Sequence, residues 1–367
     1  MDSDPAIERL EVSAYRVPTD APEADGTFAW DSTIMVLVQA QAGGTTGIGF
    51  TYAPAASASL ITELLAPAVV GLPAFDVGRA SSSMLQSVRN ANRPGTVGYA
   101  ISAVDCSLWD LKARLLELPL HRLLGAVRDK VPVYGSGGFT TYDDRHLSAQ
   151  LTGWALEQAI PRVKIKIGES AGTRMDRDVA RMRQARKVIG PDVELFVDAN
   201  AGYSAKQAIR VMTEVRDLDI RWLEEPVSSD NLTGLREVRD KVDADVAAGE
   251  YGTDLLYYRR MCDADAVDCI QADVSRCGGI TQWLGVASLA EAYGLEISGH
   301  CAPHLSVHVA AATPNFRHLE WFHDHVRIET MFFDGCLDPA GGALTPSASP
   351  GNGLSLRKAD MDPYRIA

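Results

Sequence analysis

The chain has 367 residues, 46% hydrophobic and 23% charged, with a formal net charge of −13. Such a chain can bury a large core with a smaller second domain beside it, and its composition is that of a soluble globular protein. The acidic balance, with no basic patch, argues against nucleic acid or an anionic membrane surface as partner, and no apolar run approaches the roughly 20 residues of a membrane span.

The N-terminal MDSDPAIERLEV has neither the basic start nor the apolar core of a signal peptide, so none is expected. Strand patterns follow in IERLEVSAYRVP and STIMVLVQAQ, and GGTTGIGFTY continues them as a hairpin. Between the first two lies PTDAPEADGTFAWD, polar and carrying Phe28 and Trp30, which reads as a loop able to act as a lid. Apolar periodicity then predicts helices over residues 58–70, 76–90 and 97–116.

From Val131 the rhythm changes to eight short strand-like runs: VPVYGSGG, RVKIKIG, VELFVDAN, IRWLEEP, DVAAGE, AVDCIQAD, LEISGHC and FRHLEW. Helix-length segments separate most of them, which predicts a parallel sheet closed into a (β/α) barrel. After Trp321 the alternation is lost, and DPAGGALTPSASPGNGLSL reads as extended chain with turns that packs back on the N-terminal part. The six cysteines (Cys106, Cys262, Cys269, Cys277, Cys301, Cys336) form no CxxC pair and sit in apolar surroundings, the pattern of reduced thiols in a cytoplasmic protein.

One strand poses a problem. In RVKIKIG, Val163, Ile165 and Ile167 fall on one side, and Arg162, Lys164 and Lys166 on the other. If that second side is interior, the ammonium groups need anions. The other strand ends supply them: Asp198 and Asn200 in VDAN, Glu224 and Glu225 in LEEP, Glu250 in AAGE, Asp273 in QAD, His300 in SGH and Glu320 in HLE. The steps from Asp198 to Glu224, Glu250, Asp273 and His300 are 26, 26, 23 and 27 residues, each about one βα unit. These side chains therefore belong at equivalent C-terminal strand ends, the face that carries barrel active sites.

Asp198, Glu224 and Glu250 come from consecutive strands, and three converging carboxylates require a cation; hard oxygen donors suit magnesium. Lys166 and His300 are then the candidate bases. Lys164, on the same face as Lys166, favours its neutral form by like-charge repulsion, while Asp273, one strand before His300, orients the imidazole. His304 is a further histidine that can reach the same mouth. Glu320 is expected to stay protonated and donate to a developing oxyanion.

These residues resemble the enolase superfamily, specifically its mandelate racemase subgroup. KIK resembles the family's KxK pair, VDAN through LEEP its barrel signature, and ISAVDCSLWDLKARLLELPLHRLLG the helical segment that joins its capping domain to its barrel. The resemblance implies a modified (β/α)7β barrel over residues 126–325, an α+β capping domain over 1–125, and a C-terminal segment, 326–367, packing back on the cap. It implies magnesium on Asp198, Glu224 and Glu250, with Lys166 as the base on one face of the substrate and His300 with Asp273 on the other. Glu320 corresponds to the electrophilic hydrogen-bonder, Lys164 to the residue that contacts the substrate carboxylate, and Asn200 to a supporting residue. The family's specificity loops correspond to residues 18–30 and 51–56, which makes Asp20, Glu23, Asp25, Phe28, Trp30 and Tyr52 candidate substrate contacts. The partners implied are a small carboxylate substrate and further copies of the chain in a symmetric homo-oligomer.

The expected reaction is abstraction of the proton α to a carboxylate to give an enediolate. Its foremost outcome is dehydration of a sugar acid to a 2-keto-3-deoxy acid. Racemisation or epimerisation of an α-hydroxy acid and opening of a sugar lactone by a cycloisomerase are alternatives. Two further readings are a Schiff-base aldolase using Lys166, which leaves the carboxylates idle, and a non-catalytic sugar-acid binder.

Overall fold

The alternating apolar residues of the first fifty positions form an antiparallel sheet, in the order β1 (Arg9–Ala24), β2 (Ala29–Ala42) and β3 (Thr45–Tyr52). The computed structural model describes residues 4–92 and 94–367. The segment PTDAPEADGTFAWD, expected as a loop, instead prolongs the β1–β2 hairpin. Pairing stops at Pro18–Ser32 and resumes at Glu23–Trp30 and Ala24–Ala29, so a bulge interrupts the two-residue period and hides the strand. Pro18 and Pro22 are tolerated because β1 is an edge strand.

Helical segments cover residues 56–69, with a wider π turn at Ile61–Leu65, then Val77–Ser87 and Thr96–Leu115. The last of these packs on β3, where Gly47 and Gly49 admit it. A Cβ on Gly49 would stand 2.3 Å from the Ala103 carbonyl oxygen and 2.4 Å from the Ser107 nitrogen.

Eight parallel strands follow: β4 (Val131–Gly137), β5 (Arg162–Lys166), β6 (Glu194–Asp198), β7 (Ile220–Glu224), β8 (Asp245–Ala248), β9 (Cys269–Ala272), β10 (Glu296–Gly299) and β11 (Phe316–Phe322). Each pairs with the next, and β11 pairs with β4, closing the barrel. In β5, Val163 and Ile165 join the main apolar core, while Lys164 and Lys166 are 0% and 6% exposed and point inward. Tyr134, Phe196, Trp222, Ala247 and Cys269 fill the barrel beneath them.

The chain beyond β11 is more regular than its composition suggests. It begins with the helix His323–Phe332, and Ala343–Leu344 then adds antiparallel to the start of β4. The remainder reaches the first sheet: Asn352 donates to the Ile48 carbonyl at 3.1 Å, and the Ile366 N–H to Ala14 at 2.8 Å. The β1–β2 turn meets the barrel main chain to main chain. An added Cβ at Gly26 would lie 2.7 Å from the carbonyl oxygens of both Ile167 and Ala199, and the Gly26 carbonyl accepts the Ala171 N–H at 2.8 Å. All six cysteines are free thiols, and among the described residues no helix is long and apolar enough to cross a membrane.

Candidate active site

Strand register assembles the first part of the site. Lys166 lies opposite Asp198 across β5–β6, and Asp198 lies opposite Glu224 across β6–β7. Glu250 follows β8, and one carboxylate oxygen from each of Asp198, Glu224 and Glu250 lies within 4.8 Å of the others. All three are buried. Lys166 Nζ stands 2.5 Å from Asp198 Oδ2. Lys164 donates to Glu224, sits 2.7 Å from Glu320 Oε1 and lies 3.5 Å from Asp198 Oδ2. The lysines of the apolar strand therefore face the carboxylates.

The charges oppose one another closely. Burial, then Asp198, pushes Glu224 up to about 8. Burial alone would raise Asp198 as well, but the Lys166 and Lys164 ammonium groups outweigh it and hold that carboxyl below its ordinary value. Two expectations meet opposing charge here. Burial and Lys164 do lower Lys166, but Asp198, Glu320 and Glu224 prevail and hold its ammonium above the ordinary lysine value. Glu320, expected to be protonated, is held well below the ordinary carboxylate value, because Lys164, His300 and Lys166 overcome its burial.

The second part of the site is built on β9 and β10. His300 Nδ1 donates to Asp273 Oδ2 at 2.7 Å. Asp273 is fixed in turn: its Oδ1 accepts from the Ser275 N–H and hydroxyl, each at 2.7 Å. His300 Nε2 faces Glu250 Oε2 at 3.3 Å and Glu320 Oε2 at 3.6 Å. The carboxylate triad thus has Lys166 against its Asp198 end and His300 against its Glu250 end. The turns that release the chain after these strands are strained, with Asn200, Glu225, Cys301 and Ala302 at φ of 42°, 38°, 47° and 40°.

Both parts open into one cavity of about 460 Å³ between the barrel mouth and the first sheet. Lys166, Asn200, Glu250, His300 and Glu320 line it from below, and Asp25, Phe28, Trp30 and Tyr52 from above. Asn200 donates its N–H to Asp198 Oδ1 at 2.9 Å, while its side-chain Oδ1 is enclosed without a partner. Trp30 Nε1 donates to the buried Glu23 at 2.7 Å, which aims the indole. The Tyr52 hydroxyl is committed to Glu329 at 3.0 Å, and its ring is stacked on His325. Asp20 is paired with His323 outside the cavity. His304 does not reach the mouth; it is buried against Glu329. A second cavity, of about 520 Å³, opens beside Arg162, Glu194 and Arg317 and contains none of the candidate residues.

Sequence reasoning missed Arg276, Cys301, Asp324 and His325, all of which line the site. Arg276 bridges Asp273 and Glu250, with 3.3 Å to each. Its signal was the three-residue spacing from Asp273, which a tight turn after the strand brings together: the Arg276 N–H donates to the Asp273 carbonyl at 2.9 Å. Asp324 and His325 lie in the first turn of the helix His323–Phe332, beyond the point where the strand–helix alternation is lost.

The donor set fits a hard divalent cation. Asp198, Glu224 and Glu250 offer only oxygen, and Glu250 Oε2 is enclosed but accepts no hydrogen bond, the mark of a carboxylate awaiting another positive partner.

Residues 11–125 match the mandelate racemase/muconate lactonizing enzyme N-terminal domain, and residues 146–360 the enolase C-terminal domain-like family. The L-talarate/galactarate dehydratase of Salmonella typhimurium is 31% identical over 95% of this chain and 89% of its own. Other relatives include dehydratases of rhamnonate, arabinonate and gluconate, an epimerase and cycloisomerases. A crystal structure of a mandelate racemase/muconate lactonizing enzyme-like protein from Rubrobacter xylanophilus is 47% identical. It superposes with a TM-score of 0.95, over 99% of this chain and 100% of that one. An enolase from Bradyrhizobium, crystallised with magnesium and mandelic acid, is 27% identical with a TM-score of 0.90 and full coverage of both chains. In sequence and in fold, the chain belongs to the mandelate racemase/muconate lactonizing enzyme family.

Proposed function

We propose that the protein removes the proton α to a carboxylate of a sugar acid and dehydrates it to a 2-keto-3-deoxy acid. One observation carries the reading: the buried triad has an amine at its Asp198 end and a carboxylate-oriented imidazole at its Glu250 end, both on one cavity. A substrate carbon held between them meets a proton-transfer group on either side.

A magnesium ion held by Asp198, Glu224 and Glu250 would add positive charge to the substrate carboxylate and so acidify the neighbouring C–H. Lys166 takes the C2 proton in its amine form, which a cation on Asp198 and Glu224 would favour by offsetting the negative charge that otherwise holds the ammonium. Lys164, fully buried, supplies fixed positive charge where negative charge gathers on the carboxylate oxygens. His300, protonated and held by Asp273, gives its proton to the C3 hydroxyl, which leaves as water; the enol then becomes the keto acid. For the opposite configuration at C2 the two bases exchange roles. If the second base returns a proton to C2 instead, the outcome is epimerisation.

The test is solvent deuterium exchange at C2 over a panel of hexonates, pentonates and their C2 epimers, with magnesium, and with semicarbazide to detect keto acid. Lys166→Ala and His300→Asn should each abolish exchange for one C2 configuration. A wild-type protein that exchanges no α-hydroxy acid removes the reading. Borohydride trapping of substrate on Lys166 would redirect it to a Schiff-base aldolase.

A further inference from the structure

The cationic side chains of this cavity are placed at one end. Among its described lining residues the only lysine and arginine are Lys166 and Arg276. Both are engaged near the barrel mouth, Lys166 with Asp198 at 2.5 Å and Arg276 with Glu250 and Asp273 at 3.3 Å. The wall toward the first sheet is different, with Phe28, Trp30, Ile34 and Pro54 giving it an apolar surface.

That wall carries two carboxyl groups, Asp25 and Asp324. Asp25 lines the cavity, its Oδ1 held by the Thr27 and Phe28 N–H groups at 2.6 and 2.7 Å. Asp324 is buried and accepts from Thr33 and from Arg327. Arg327 also donates to the Pro18 carbonyl, so the protein's own groups occupy it behind the wall. His325 is the remaining basic group there. Its ring stacks on Tyr52 with centroids 3.4 Å apart, and its Nδ1 accepts the Ala302 N–H at 3.4 Å. A ring nitrogen that accepts an N–H carries no proton, so the imidazole is neutral with its hydrogen on Nε2.

We propose, building on the α-proton chemistry above, that the cavity selects a polyhydroxy monocarboxylate with an uncharged far end and rejects the corresponding diacid. With C1 at the triad, the substrate chain runs toward the sheet. A second carboxylate there would leave water beside Trp30, Ile34 and Pro54, with the carboxyl groups of Asp25 and Asp324 beside it and, among the described residues, no cation that is not already paired. A hydroxyl fares well in the same place, since it can donate to Asp25 Oδ2 and accept from His325 Nε2–H. A terminal methyl or ring methylene fits against Trp30 and Ile34, so 6-deoxy and anhydro acids belong to the same class.

The experiment compares hexonates, 6-deoxyhexonates and hexarates matched at C2 to C5, with magnesium in deuterated water, following C2 exchange and keto acid. At least one monoacid should react, and its matched hexarate should have a kcat/KM at least about 100-fold lower. Asp25→Asn keeps the Oδ1 acceptor for Thr27 and Phe28 but removes a negative charge; it should narrow that ratio by at least about fivefold. Ile34→Arg, which supplies the absent cation, should narrow it further, with thermal unfolding checking that both variants fold. A hexarate processed as well as its monoacid overturns the selectivity and leaves the α-proton reading standing, as does a ratio unmoved in both variants. Exchange with neither class overturns the α-proton reading, and this assignment with it.

Discussion

Replacing Asp273 with Asn tests the His300 half of the site through a rearrangement the structure makes one-sided. Asp273 Oδ1 receives two hydrogen bonds from Ser275, and Oδ2 receives the His300 Nδ1–H. In Asp273→Asn the Ser275 donors keep the amide oxygen at the Oδ1 position, so the amide NH2 faces Nδ1. Nδ1 must then accept, the ring hydrogen moves to Nε2, and the nitrogen that faces the cavity can no longer take a proton. Turning the amide to restore the tautomer leaves the Ser275 N–H without its acceptor, although the hydroxyl can rotate to accept from the amide; at about 1 kcal/mol that is a factor of about 5 in population. Loss of the charge-assisted bond to the imidazolium adds about 1.5–3 kcal/mol. The expected fall is about 10²- to 10³-fold for the C2 epimer whose proton faces His300, but less than about fivefold for the epimer facing Lys166. Exchange measured by proton NMR on each epimer separates the two. Equal losses on both faces, or a fall under about threefold on the His300 face, would refute the argument.

Three further outcomes are expected. Divalent magnesium should raise the thermal midpoint of the wild type, by mass action worth about 2.7 kcal/mol at a hundred times Kd, and Glu250→Gln should lose most of that rise. Burial, and then Asp324, pushes Glu23 up to about 8, above its ordinary value of 4.5. The folded state therefore binds more protons than the unfolded one between those values, and this group's stability contribution is present below pH 4.5 and lost as pH rises through 8. Glu23→Gln keeps an acceptor for Trp30, so its midpoint relative to wild type should be higher at pH 8 than at pH 5. Gly49→Ala drives a methyl into the Thr96–Leu115 helix backbone and should cost about 1–3 kcal/mol or more in urea denaturation.

The barrel and its ring of strand-end residues were legible because one βα unit takes a nearly constant length of chain, so spacing alone aligned Asp198, Glu224, Glu250, Asp273 and His300. The charges that surround Lys166 and Glu320 were not. Sequence gave the Lys164–Lys166 neighbourhood along one strand, but the stronger influence on Lys166 is Asp198, 32 residues away and one strand across. The same limit hid Lys164 beside Glu320, 2.7 Å away across the barrel. The wall of the cavity was least readable. A bulge broke the alternation in β1, and the helix that carries Asp324 and His325 follows a strand with no intervening turn signal.

The seating of Gly26 on the carbonyls of Ile167 and Ala199 has a consequence for how such a molecule diversifies. Those carbonyls immediately follow Lys166 and Asp198, so the roof is levelled against the very strands that hold the reacting groups, through atoms that every amino acid shares. Side chains on the roof can be exchanged while its height above the reacting carbon stays put. New substrates can then be tried on a chemical centre that does not have to be rebuilt each time.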